Sequence, residues 1–225
     1  MQLDVNEDWA AMSGILRLSS KYGIQSLRSA IIDKLLVYYP ISLDGYDQDS
    51  HLVLRMPASS RALDVIVLAR QTRVLHLLPC AFYRAVTRGP VDVVAGLTDP
   101  SALRLSETDL RAWIVGHHQL CLANRTIVCS YFFNRLPDTP GCVSTAHACF
   151  NRYFSAFLGL HRRGISTGPL CFYKMPWEAI SPKIGCPACL AKLKEVHEEG
   201  RKKVWNQLPD YFELGSWDEL LRDTS

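Results

Sequence analysis

Two cysteines, Cys186 and Cys189, form the sequence C-P-A-C at the start of a helix-like run, and this spacing suits two kinds of chemistry. A C-P-x-C pair at a helix N-terminus is typical of glutaredoxin-type redox sites, where the helix dipole lowers the pKa of the attacking thiol. Such a site follows a buried β-strand, whereas here the preceding segment MPWEAISPKIG contains two prolines and a glycine. The same spacing is also typical of one half of a zinc site.

A second pair, Cys142 and Cys149, could complete a tetrahedral zinc site. The pattern is then C-x6-C, an insertion of 36 residues, and C-x2-C. Four thiolates would fill the coordination sphere, so the predicted role of the metal is structural. The alternative is that all four are ordinary buried cysteines, since cysteine is among the most buried residue types. The predicted ligands are Cys142, Cys149, Cys186 and Cys189, with Cys171, His147 and His197 as candidate replacements.

No other group of residues indicates chemistry. His117 and Cys121 stand at i, i+4 on a long predicted helix, but two ligands do not make a site, and we expect Cys121 to pack into the core. The charged run HEEGRKK at 197–203 is typical of a solvated helix face. The common nucleotide-binding, hydrolase and metalloprotease motifs are missing from the sequence, so no catalytic residue is predicted.

Composition indicates an ordinary globular chain. The 225 residues are 48% hydrophobic and 21% charged, with a net charge of +3 from interleaved acids and bases. That charge is too weak to predict a nucleic-acid partner, and no apolar run reaches the roughly 20 residues needed to span a bilayer. The start MQLDVNEDWA lacks the apolar core of a signal peptide, so we expect an intracellular protein of the nucleus or cytoplasm with reduced cysteines.

The hydrophobic pattern predicts an all-α fold built of stacked helical hairpins. One hairpin covers 9–40, with Gly23 at its turn and Pro40 at its end, and Ser106 is a predicted N-cap of a long helix. Residues 15–31 align with 65–81 at an offset of 50, with apolar and small residues matched, as in a repeated packed unit. The alternative is that any two amphipathic hairpins align this well.

The clearest break is RLPDTPGCVST at 135–145, which contains two prolines and a glycine. We therefore predict a helical-hairpin region at 1–134 and a smaller, cysteine-containing helical region at 135–225, which could also form one continuous domain. The segment at 41–60 reads as a polar connector.

The segment ILRLSSKYGIQSLRSAIIDKLLVYYPISLDGYD at 15–47 resembles the helical, BACK-like region that follows the BTB/POZ fold in a group of basidiomycete fungal proteins. The later hairpin with its internal Leu-Pro, the C-x-x-C and the ending EEGRKKVWNQLPDYFELGSWDELL also look like that group. The resemblance implies an interaction or adaptor protein, linked to ubiquitin ligase assembly or transcriptional control, with no catalytic residues. It covers the helical part alone, so BTB dimerisation is not carried over.

Together these observations predict a non-enzymatic protein–protein interaction module with a candidate structural zinc. We expect its protein partner to contact an exposed hairpin face or the segment LPDYFELGSWDELL, which places aromatic anchors among acids. The alternative is a thiol-disulfide redox enzyme using the C-P-x-C pair. A nucleic-acid binder is a third class, against which the weak net charge argues.

Overall fold

The computed structural model describes residues 8–53, 61–87, 105–132 and 186–222, together with positions 139, 141, 142, 149, 151, 152, 155, 177 and 181. These residues contain nine α-helices and no strand, which confirms the predicted all-α class. Short 3-10 turns cover Leu75–Leu77 and Ser130–Phe132, and a π-helical turn covers Asn124–Val128. The helices are α1 (Trp9–Tyr22), α2 (Gln25–Tyr38), α3 (Leu43–Val53), α4 (Ala62–Thr72), α5 (Leu78–Thr87), α6 (Glu107–Ala123), α7 (Pro187–Asn206), α8 (Leu208–Tyr211) and α9 (Trp217–Arg222).

The chain forms two compact units. The first contains Met1–His117 and Gln207–Ser225, and the second contains His118–Asn206. These units are defined by packing, whereas the predicted regions 1–134 and 135–225 follow breaks along the chain, so the predicted domain boundary stays a prediction.

Helices α1 and α2 form the predicted hairpin, and the second hairpin consists of α4, the 3-10 turn and α5. In the first unit α1 packs against α2 and α4, and α8 packs against α5. Phe212 lies fully buried there, with its ring stacked on that of Phe82 at 5.1 Å between centroids. Leu220 of α9 is also buried. The expectation that the C-terminal aromatic and apolar anchors await a partner is therefore wrong for these two residues, because they complete the core of the first unit.

Local hydrogen bonds explain where two helices begin. The hydroxyl of Ser106 accepts the N–H of Asp109 at 3.1 Å, so Ser106 caps α6 as predicted. Ser42 is the N-cap of α3, because its hydroxyl accepts the N–H of Gly45 at 3.1 Å. The prediction of a connector at 41–60 is thus wrong over Leu43–Val53, which is helical.

The sequence predicts one long helix over 106–134, but the α-helix observed there is shorter. It stops at Ala123, and the π-helical turn follows. There the N–H of Cys129 donates to the carbonyl of Asn124 at 2.8 Å, one residue beyond α-helical spacing. The Cys129 thiol also donates to the Asn124 side-chain oxygen at 3.3 Å, which holds the widened turn. The sequence also predicts a short helix near VDVVAGL at 91–97, and this segment lies outside the described residues.

Candidate metal centre

Cys142 is positioned by a tight turn. Its N–H donates to the carbonyl of Thr139 at 3.1 Å, and Gly141 between them has φ +80°. The sequence T-P-G-C matches a type II β-turn, which favours proline at its second position and needs a left-handed residue at its third. A Cβ added to Gly141 would lie 3.8 Å from the Cβ of Ala188, so the turn sits beside the first turn of α7.

Cys186 and Cys189 are positioned by the start of α7. The carbonyl of Cys186 accepts the N–H of Leu190 at 3.0 Å, so Cys186 is the N-cap residue. Pro187 follows as the first helical residue, where proline is favoured because that N–H has no helical partner. Cys189 lies in the same first turn. The C-P-x-C sequence therefore both starts the helix and places two sulfurs at its positive end, where the dipole favours thiolates.

The sulfurs of Cys142, Cys149, Cys186 and Cys189 all lie within 4.8 Å of one another, and this cluster could hold a metal ion. From the Cys142 sulfur the distances are 3.8 Å to Cys149, 3.9 Å to Cys186 and 3.4 Å to Cys189. Four sulfurs about 2.3 Å from a central zinc form a tetrahedron with edges of about 3.8 Å. The observed separations are close to that value and far longer than a disulfide bond of about 2.05 Å.

Burial and charge disfavour an exposed, reactive thiolate in this cluster. Cys149, Cys186 and Cys189 are buried, and Cys142 is partly exposed. Burial raises the pKa of the Cys189 thiol, and contacts with Cys142, Cys186 and Cys149 raise it further. Four thiolates this close would repel one another, so the cluster is stable either with protons or with a compensating cation.

Of the three candidate replacement ligands, only His197 lies among the described residues, and it is not a member of the cluster. His197 lies within the second unit, with its Nδ1 3.1 Å from the Tyr131 hydroxyl and its ring edge-on to Trp177 at 5.4 Å. Cys171 and His147 lie outside the described residues. Cys121 is exposed, so the expectation that it packs into the core is wrong, and His117 stacks on Trp113 at 5.9 Å.

Two features near α7 have no signal in the sequence. The contact between Tyr131 and His197 joins residues 66 positions apart. Arg201, in the run predicted to be solvated, is fully buried and donates to the Glu198 carboxylate at 2.9 Å. A charged run along a helix indicates an exposed face on average, but it does not show which side of the helix is covered.

Comparisons with protein-family models, curated proteins and solved structures find no match for this chain. Within the described residues, no helix combines the length and apolar character needed to cross a membrane.

Proposed function

We propose that this chain is a non-enzymatic helical protein-interaction module whose second unit is held together by a structural zinc ion. The observation that carries the zinc half is the cluster of four cysteine sulfurs, all within 4.8 Å of one another. The interaction half is supported by the stacked hairpins of the first unit and by large apolar side chains exposed on them. It also agrees with the resemblance to the helical region of fungal BTB/POZ proteins.

Zinc fits the donor set better than the hard cations do. Thiolates are soft ligands, whereas magnesium and calcium prefer oxygen. Cys142, Cys149, Cys186 and Cys189 would hold the ion, and four sulfurs leave no coordination position for a substrate. The ion would tie the turn at Thr139–Cys142 and the helical residue Cys149 to the start of α7. Such a site suits a reducing intracellular compartment, the nucleus or cytoplasm, as an adaptor-type role would also require.

Metal analysis of the purified full chain tests the zinc half. We expect close to one zinc per chain by mass spectrometry of the metal, and we expect cobalt(II) to give the thiolate charge-transfer absorption of a tetrahedral sulfur site. Cys149→Ser should lose both signals. Cys121→Ser is the matched control, because this exposed cysteine is outside the cluster and its loss should leave the metal content unchanged.

A chain that purifies without metal and takes up neither zinc nor cobalt would contradict the proposal. Equal metal loss in Cys149→Ser and Cys121→Ser would also contradict it, because the effect would then not belong to the cluster. Circular dichroism of each variant separates loss of the ligand from loss of the fold.

The alternative, a thiol-disulfide enzyme, is favoured by one observation: Cys186 caps the start of α7, where the helix dipole stabilises a thiolate. Burial of Cys186, and a third sulfur 3.9 Å away on Cys142, argue for a closed site instead. A metal-free chain that reduces a model disulfide, with the activity lost in Cys186→Ser, would establish the alternative and overturn the proposal.

A further inference from the structure

The two hairpins of the first unit share one turn geometry. Gly23 ends α1 with φ +68°, and Arg73 ends α4 with φ +54°, at an offset of 50 residues. The next N–H in each turn donates to an equivalent carbonyl, from Ile24 to Ser19 at 2.9 Å and from Val74 to Ala69 at 3.0 Å. The two turns therefore have the same geometry, which supports the interpretation as a repeated unit, although a 3-10 turn follows only in the second hairpin.

The aligned apolar side chains differ in burial. Four apolar side chains of the second hairpin are buried, whereas of their counterparts in the first hairpin one is partly exposed and three are exposed. Leu18 is 57% exposed and Leu27 is 49% exposed, although both match fully or nearly fully buried leucines. The buried set is Val65, Leu68, Val74 and Leu77, and the matching set is Ile15, Leu18, Ile24 and Leu27.

Helices cover the second hairpin. Helix α1 packs against α4, and the short helix α9 packs against the 3-10 turn Leu75–Leu77. Helix α9 inserts Leu220 into the core and leaves the acidic side chains of Asp218 and Glu219 exposed. Amphipathic helices thus cover this face of the second hairpin, and the helix that covers its turn, α9, is acidic.

The open face of the first hairpin follows helical spacing. On α1, Ala11, Ile15, Leu18 and Tyr22 recur at intervals of four, three and four residues, on a side of the helix different from buried Met12 and Leu16. Tyr22 is 67% exposed. We define the hairpin stripe as the set Ala11, Ile15, Leu18, Tyr22, Ile24 and Leu27. Along α1 it extends over about 16 Å, or three helical turns.

Three cations of the first hairpin, Arg17, Lys21 and Arg28, have no carboxylate partner in the described part of the chain. Arg17 donates to the Gln71 side-chain oxygen at 2.9 Å, and Arg28 donates to the Ser20 hydroxyl and the Thr72 carbonyl at 2.9 and 3.1 Å. Lys21 lies over the Tyr22 ring at 5.5 Å. These partners are all neutral, so the three positive charges are available to a ligand.

We propose that the hairpin stripe binds an acidic amphipathic α-helix of a partner protein. The apolar spacing along α1 suits a helix of about three turns with anchors at i, i+4 and i+7. The cations Arg17, Lys21 and Arg28 select aspartate and glutamate at its flanks. This inference rests on the interaction half of the proposed function and is independent of the zinc half.

The test measures binding of a fluorescent synthetic helical peptide to the full chain by anisotropy. The probe spans about four turns, with leucines at i, i+4, i+7 and i+11 and glutamates beside them, and a scrambled peptide of the same composition is its control. We expect saturable binding of the helical probe, weakened several-fold as salt rises to about 0.3 M. Leu18→Glu should weaken it by about tenfold or more, and Arg17→Glu should weaken it and flatten the salt dependence.

Val37→Glu is the matched control, because Val37 is a similarly exposed apolar residue of α2 outside the hairpin stripe. The Val37→Glu chain should bind the probe as tightly as the wild type does. Equal binding of the scrambled probe, or unchanged binding by Leu18→Glu, would overturn the proposal. The proposal would also be overturned if the chain did not bind the probe but self-associated or bound anionic vesicles, and Leu18→Glu abolished that interaction. Zinc content is measured on the same Leu18→Glu sample, so a failure of the hairpin stripe is distinct from a failure of the metal site.

Discussion

Helix α7 approaches the π-helical turn so closely at Gly200 that a methyl group does not fit there. A Cβ at this position would lie 2.9 Å from the Cα of Val128 and 3.1 Å from the carbonyl oxygen of Ile127. Carbon atoms pack best at about 3.5–4.0 Å, and both neighbours belong to the backbone, which cannot rotate away as a side chain can. Gly200→Ala should therefore cost about 3 kcal/mol in overpacking, offset by about 1 kcal/mol of gained helix propensity.

The expected net loss of about 2 kcal/mol would raise the hydrogen-exchange rates of α7 amides by about 30-fold if they exchange through opening of the second unit. Hydrogen exchange read by mass spectrometry, with zinc supplied, measures this locally. Gly14→Ala is the control, because its added Cβ meets no heavy atom within 4 Å. That change lies inside α1 and should stabilise the helix by up to about 1 kcal/mol. The reasoning would be refuted if the α7 amides of Gly200→Ala exchanged at the wild-type rate. It would also be refuted if Gly200→Ala and Gly14→Ala changed stability in the same direction.

Three further predictions concern the first unit. Burial, and then the Arg28 cation, lower the pKa of His76 from 6.5, so the unfolded chain takes up a proton at a higher pH than the folded chain does. The stability that neutral His76 contributes is therefore complete above about pH 6.5 and declines below it. The drop in thermal midpoint from about pH 7 to pH 5 should shrink in His76→Leu, and an unchanged drop would contradict this. Gly23→Ala should cost about 1 kcal/mol of stability, because alanine is strained at φ +68°. Arg73→Gly should gain a similar amount, because φ is +54° there, and thermal midpoints that move in the same direction in both variants would count against this account. Asp109→Asn should lower the free energy of unfolding by about 2 kcal/mol in urea denaturation, since the buried carboxylate binds the Arg70 guanidinium at 2.8 Å. The cap variant Ser106→Ala should lose about 1 kcal/mol, and a loss in Asp109→Asn no larger than that would contradict this account.

Local signals made several elements predictable. Gly23 at the first turn, Ser106 before α6 and proline at the start of α7 each act through the backbone of their own neighbourhood. Helix α3 escaped prediction because Gly45 and a polar run resemble a connector, while the cap that starts it is a single hydroxyl on Ser42. The π-helical turn packs against Gly200, and a contact between positions this distant in sequence leaves no local signal.

Periodicity identified apolar faces but not what covers them. Leu16 and Leu18 both fit the helical pattern of α1, yet one is fully buried and the other is among the most exposed apolar residues described. The distinction depends on which neighbouring helix lies against each side, and only tertiary packing decides that. The same reason explains why Phe212 was expected at an interface and is found in the core.

The candidate metal centre was predictable in membership but not in geometry. The C-P-x-C spacing fits a helix start, and the pairing with Cys142 and Cys149 followed from the number of soft ligands that zinc requires. The spacing C-x6-C does not by itself imply proximity, since a seven-residue separation allows many distances. Cys142 ends the turn at Thr139–Cys142, and its sulfur lies 3.4 Å from that of Cys189, a proximity that the spacing does not predict.

The division of the chain between its two units bears on the order of folding during synthesis. The first unit takes residues from both sides of the second, and α8 and α9, which follow α7, supply part of its core. A nascent chain that has emerged only to residue 206 carries every described part of the second unit but lacks the Phe212 ring that stacks on Phe82. The unit that starts first therefore finishes last, and the ring of Phe82 stays without its stacking partner while the described residues of the second unit, with the four clustered cysteines, are already present.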